Sequence, residues 1–113
     1  MITIYHNPRC SKSRDGVCFL EENKIEFETI KYIDETLTKR ELLSILKKLN
    51  YKPIELVRTK EKIWIDNFKN KQLSDKEVIN AMIQNPKLIE RPILINGNTG
   101  IVARPTEKIN EIL

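Results

Sequence analysis

The sequence predicts an α/β fold: a mixed four-stranded sheet flanked by helices, with a helical block inserted between the second and third strands. Three observations carry this. Two strand-like stretches, Met1 to Tyr5 and Ile25 to Tyr32, are separated by a single helical stretch, which makes them parallel neighbours joined by a right-handed crossover. Asn96-Gly97-Asn98-Thr99-Gly100 joins two later apolar runs as a hairpin. Between them, from about residue 38 to 86, the signals are helical throughout.

The elements follow in order. Met1 to Tyr5 alternates, with two isoleucines and a tyrosine, as a strand does. Asn7-Pro8 is a turn signal, and Ser11 is the expected N-cap of a helix running to about Glu22. Val17, Leu20 and Cys18 are its expected core-facing residues, and Asn23 its stop. Thr38-Lys-Arg-Glu41 is a capping box, followed by Leu42, Leu43, Ile45, Leu46 and Leu49. Pro53 suits the first turn of a short helix over Ile54 to Val57. Lys60 to Lys71 is polar, with Ile63, Trp64 and Phe68 as packing residues. Ser74-Asp-Lys-Glu77 is a second capping box, opening a helix that stops before Pro86. A third strand is expected at Ile93 to Ile95, a fourth at Ile101 to Arg104, and a last helix from Pro105 to Leu113. This order is the thioredoxin arrangement. By resemblance to that fold, the proline after Arg91 is expected in the cis form, facing the first loop.

At 113 residues the chain is expected to be a single domain, 1–113, with one core. It is 40% hydrophobic and 32% charged, with no apolar run long enough for a membrane span and no signal peptide expected. Two cysteines form no disulfide scaffold and fit a reducing, cytoplasmic compartment. The net charge of +4 rests largely on solvated helix faces such as Lys47-Lys48 and Lys69 to Lys71. Without an aromatic-interleaved basic stripe or zinc-finger spacing, nucleic acid is not an expected partner. One histidine and two separated cysteines make no metal-ligand set, so no metal and no bound cofactor are expected.

The chemistry is expected at Cys10, where a strand ends and a helix begins. Backbone N–H groups and the positive end of the helix dipole collect there and favour the thiolate. Lys12, Arg14 and Arg9 add positive charge, and polar neighbours do not build the apolar pocket that an inert cysteine occupies. Ser13 stands where a dithiol oxidoreductase would carry its second cysteine. Cys18 lies eight residues along the same helix, a rise of roughly 12 Å, whereas a disulfide needs Cα atoms within about 7 Å. An external thiol is therefore needed to resolve a bond made by Cys10. His6, at the strand end, either stabilises that thiolate or is structural. Asn7 and Ser13 offer hydrogen bonds to the sulfur or to a bound oxyanion, or serve the turn and the cap. Arg58, Arg91 and Arg104 stand out by position, since a guanidinium fork matches tetrahedral oxyanions.

His6-Asn-Pro-Arg-Cys-Ser-Lys-Ser-Arg14, Arg58-Thr-Lys-Glu61, Asn85-Pro-Lys-Leu-Ile-Glu-Arg-Pro-Ile93 and Arg104-Pro105 together resemble the glutaredoxin-coupled arsenate reductase family, ArsC, over essentially the whole chain. The resemblance implies a thioredoxin-like fold and reduction of arsenate to arsenite, in arsenic detoxification. It implies Cys10 as nucleophile, Arg58, Arg91 and Arg104 as the arsenate-binding residues, and His6 and Ser13 as residues that tune the thiolate. Glutathione is the implied co-substrate, and glutaredoxin, or thioredoxin in its place, the implied partner of a monomeric enzyme. The Ser11-Lys12 pair departs from the smaller residues that follow the cysteine in the best-known members.

Three other readings share the fold, the plainest being a binding module that keeps the fold only, in which Cys10 would not react with alkylating agents at neutral pH. Spx-like regulators bind RNA polymerase and also carry Arg-Pro-Ile, but typically have Cys-x-x-Cys and lack the histidine-led loop; Ser13, His6 and Arg104 favour the enzyme. A thiol oxidoreductase of another substrate, such as a mixed disulfide, is the third. Arginines do not distinguish arsenate from phosphate by geometry. Reactivity does, because arsenic(V) accepts a thiolate and is reducible.

Overall fold

A computed structural model describes residues 1–113. The chain separates into two compact units, a sheet unit of Met1–Glu35 with Arg91–Leu113 and a helical unit of Thr36–Glu90.

In the sheet unit, β1 (Ile2–Tyr5) is followed by α1 (Ser11–Glu22) and β2 (Phe27–Ile30); β3 (Ile93–Asn96) and β4 (Thr99–Val102) come after the helical unit in sequence. The sheet order is β2-β1-β3-β4. β1 runs parallel to β2, with Ile2 opposite Phe27, and antiparallel to β3, with Ile4 opposite Leu94. β3 and β4 are antiparallel, with Asn96 opposite Thr99. This is the mixed, thioredoxin-like sheet expected from the sequence, with the helical insertion between its second and third strands.

Alternation decides which side chains reach the core. Ile2 and Ile4 are buried while Thr3 and Tyr5, which alternate with them, are only partly so, as a period of two requires. Leu20 from α1, Leu94 from β3, Ala103, Ile109 and Ile112 complete the cluster, with Val17, Phe19, Ile25, Phe27 and Ile101 packed around it. Gly97 takes φ +63° in the two-residue turn between β3 and β4, a conformation that favours glycine.

Several details differ from expectation; β4 spans Thr99–Val102 rather than Ile101 to Arg104, because the turn is only two residues long. The N-cap of α1 is Cys10 itself, not Ser11. Cys18 is exposed rather than core-facing. Buried positions on α1 are Ser13, Gly16 and Leu20, and residue 18 lies about 200° around the helix from both 16 and 20. The C-terminal helix, Thr106–Ile112, is 3₁₀ rather than α, and still buries Ile109 and Ile112 at the three-residue spacing of that helix.

The helical unit contains α2 (Lys39–Leu49), a 3₁₀ turn at Pro53–Leu56, α3 (Lys62–Asn67), α4 (Asp75–Gln84) and a 3₁₀ turn at Pro86–Leu88. Both capping boxes form. Thr38 Oγ1 accepts from the Glu41 N–H at 3.1 Å while Glu41 accepts from the Thr38 N–H at 3.1 Å. Ser74 and Glu77 repeat this at 3.2 and 3.0 Å. Leu42, Ile45, Leu46 and Leu49 on α2 and Val78, Ile79, Ala81 and Met82 on α4 are buried. Trp64 is buried and packs its ring against Phe68 with centroids 5.3 Å apart. A single bridge, Val57 opposite Ile89, closes the unit; Arg58 N–H donates to the Leu88 carbonyl and Glu90 N–H to the Leu56 carbonyl.

Candidate active site

The turn from β1 into α1 is a closed hydrogen-bonded loop. The Cys10 N–H donates to the Asn7 carbonyl at 3.0 Å, and the Arg9 N–H to Asn7 Oδ1 at 3.1 Å. The Arg14 N–H donates to the Cys10 carbonyl at 3.0 Å, and its guanidinium to the Pro8 carbonyl at 2.9 Å. Cys10 has extended backbone angles, φ −96° and ψ 123°, as an N-cap residue does. Its sulfur stands where serine or aspartate would cap, facing the N–H groups of Lys12 and Ser13. The thiol forms no cap bond of hydrogen-bond geometry, so these two N–H groups act on the sulfur through their dipoles.

Partial burial pushes the Cys10 thiol up. The hydrogen bond from the Arg91 side chain, the Ser13 N–H, the charge of Arg91 and the Lys12 N–H together pull it down further, so the net displacement is below the usual thiol range. Each of these favours the thiolate, the nucleophilic form.

Arg91 reaches the sulfur from the segment preceding β3. The Arg91–Pro92 and Arg104–Pro105 bonds are both cis. Pro92 is fully buried and faces Gly16 of α1; a Cβ at Gly16 would sit 3.2 Å from Pro92 Cγ and 3.3 Å from Ile4 Cδ1. The helix carrying Cys10 and the loop carrying Arg91 therefore meet where one partner lacks a side chain. Gly16 carries no apolar signal in the sequence. An isolated glycine inside a helix costs stability against alanine and usually signals close packing, which was the available clue.

Ser13 is fully buried and His6 and Asn7 nearly so. Ser13 Oγ lies 2.7 Å from His6 Nδ1 and accepts from the Asn7 N–H at 2.9 Å. Burial, the charges of Lys31 and Arg14, and a smaller opposing hydrogen bond to Ser13 leave the His6 pKa below its ordinary value, which favours the neutral ring. The side-chain partner of His6 is thus the Ser13 hydroxyl. Asn7 serves chiefly through its backbone and its Oδ1, both of which hold the loop.

Arg104 donates from Nη1 to the Arg91 carbonyl at 3.3 Å. Cys10, His6, Ser13, Arg91 and Arg104 all belong to the sheet unit; Arg58 belongs to the helical unit. There Arg58 Nη1 pairs with Glu61 at 2.9 Å and Nε with Glu90 at 3.4 Å. No three His, Cys, Asp or Glu side chains gather where they could hold a metal ion. No helix is long and apolar enough to cross a membrane.

The chain as a whole is similar to known proteins. The chain is 40% identical over 116 residues to the uncharacterized protein YfgD of Escherichia coli K12, covering 99% of this chain and 96% of the relative. It is 40% identical over 114 residues to an arsenate reductase of Haemophilus influenzae, covering 99% and 98%. A solved arsenate reductase from Vibrio cholerae superimposes with a TM-score of 0.93 at 38% identity, covering 99% of this chain and 97% of that one. Residues 5–112 match the ArsC family, and with full-length relatives at this identity the chain belongs to that family.

Proposed function

We propose that the protein is an arsenate reductase using one catalytic cysteine and an external thiol. The observation that carries this reading is the Cys10 thiol, held below its usual pKa at a helix N-terminus with Arg91 against it. Thiolate and arsenate are both negative, so a guanidinium must offset their repulsion and the charge that develops as they react.

In this reading Cys10 Sγ attacks arsenic(V), and an arsenate oxygen leaves as water after taking up protons. The product is a thiol–arsenate adduct. Glutathione sulfur then bonds to Cys10 sulfur. The two sulfurs give up two electrons to arsenic, and arsenite leaves. Glutaredoxin thiolate attacks the glutathione sulfur of the mixed disulfide and restores Cys10. Ser13, buried where a second cysteine would stand, supports the need for an outside thiol. Arg91 holds the thiolate and the oxyanion. Arg104 and Arg58 are assigned to oxyanion binding from the family resemblance, and His6 and Ser13 to tuning the thiolate. The enzyme would act as a monomer in the cytoplasm, binding no cofactor.

The test is arsenate-dependent NADPH oxidation by the purified protein with glutathione, glutaredoxin and glutathione reductase. Turnover that disappears in Cys10→Ser is expected. Equal rates with and without the protein would refute the reading.

A further inference from the structure

The guanidinium of Arg91 is useful to Cys10 only if the backbone beneath it is fixed. Three contacts fix that backbone. Pro92 is buried against Gly16. The Ala103 N–H donates to the Pro92 carbonyl at 3.0 Å. Arg104 Nη1 donates to the Arg91 carbonyl at 3.3 Å. Arg91 lies just outside β3, and the peptide its carbonyl belongs to ends in proline, which has no N–H. A side-chain donor therefore supplies what a strand ladder would supply elsewhere.

We infer that Arg104 is a positioning residue for Arg91: by holding the Arg91 carbonyl it aims the Arg91 guanidinium at the Cys10 sulfur before any substrate arrives. This rests on the reading of Cys10 as the nucleophile and adds a role to the oxyanion binding assigned above. Beside burial, the groups acting on the thiol are Arg91 and the Ser13 and Lys12 N–H groups. An effect of Arg104 on the thiol is therefore expected to pass through Arg91.

The experiment measures the rate of Cys10 alkylation by iodoacetamide against pH, without arsenate, in a Cys18→Ser background because Cys18 is exposed. Arg104→Ala is expected to raise the midpoint by about half a pH unit or more. In an Arg91→Ala background the same substitution is expected to add nothing. Arg104→Lys keeps a donor and a charge on a different geometry and is expected to fall between wild type and alanine; it carries the same cycle if the alanine variant does not fold. An unmoved midpoint in the folded variant overturns the inference. So does a shift of equal size with and without Arg91, which would make Arg104 act directly. Normal thiol behaviour together with no arsenate turnover would instead remove the proposed substrate and leave the positioning role standing.

Discussion

His6 Nδ1 and Ser13 Oγ lie 2.7 Å apart, and the same hydroxyl accepts the Asn7 N–H at 2.9 Å. One fully buried oxygen thus joins the end of β1 to the first turn of α1. Removing it leaves the Asn7 N–H without its acceptor. Ser13→Ala is expected to cost about 1–3 kcal/mol, read as a fall in the urea midpoint with an unchanged m-value. An unaltered midpoint would show that water replaces the hydroxyl.

Stability should depend on pH through His6. Its folded pKa is lowered, so the unfolded state takes up the proton first as pH falls below about 6.5. The stabilisation is present above that value and is lost as pH falls toward the folded pKa. Urea denaturation of wild type is expected to weaken below about pH 6.5, and a His6→Gln variant to lose that part of the slope.

Cys10 gives a dependence of the same sign at higher pH. Its folded pKa is also lowered, so between that value and the unfolded value of about 8.5 the unfolded state binds more protons. Stability from this group grows as pH rises through that window and is lost as pH falls. The difference between wild type and Cys10→Ser, followed by urea denaturation, is expected to increase up to about pH 8.5. A flat difference would mean that the thiol is not perturbed.

Arg91 combines a hydrogen bond and a charge at the sulfur. Arg91→Ala is expected to raise the alkylation midpoint of Cys10 and lower arsenate turnover by about 100-fold or more. Arg91→Lys should recover little, because an ammonium does not reproduce the planar fork. Full activity in the lysine variant would reduce Arg91 to a point charge.

The two capping boxes were legible because each is local: four consecutive residues contain both donors and both acceptors. Strand alternation at Ile2 and Ile4 was legible for the same reason. What escaped depends on partners distant in sequence. The buried face of α1 is marked by a serine and a glycine, which carry no apolar signal; one is buried by a histidine seven residues earlier and the other by Pro92. Cys18 counted as apolar by type yet lies on the outer face. Positions of Cys10 and Arg91 followed from strand order, whereas the Arg104 bond to the Arg91 carbonyl required the register of β3 on β4.

The most direct test is a single turnover without glutaredoxin. Protein, arsenate and glutathione are mixed, arsenite is quantified, and the protein mass is read with peptide mapping. The account predicts arsenite in proportion to protein, with one glutathione in disulfide linkage to Cys10 and none required at Cys18. Arsenite formed while Cys10 remains a free, unmodified thiol would contradict it.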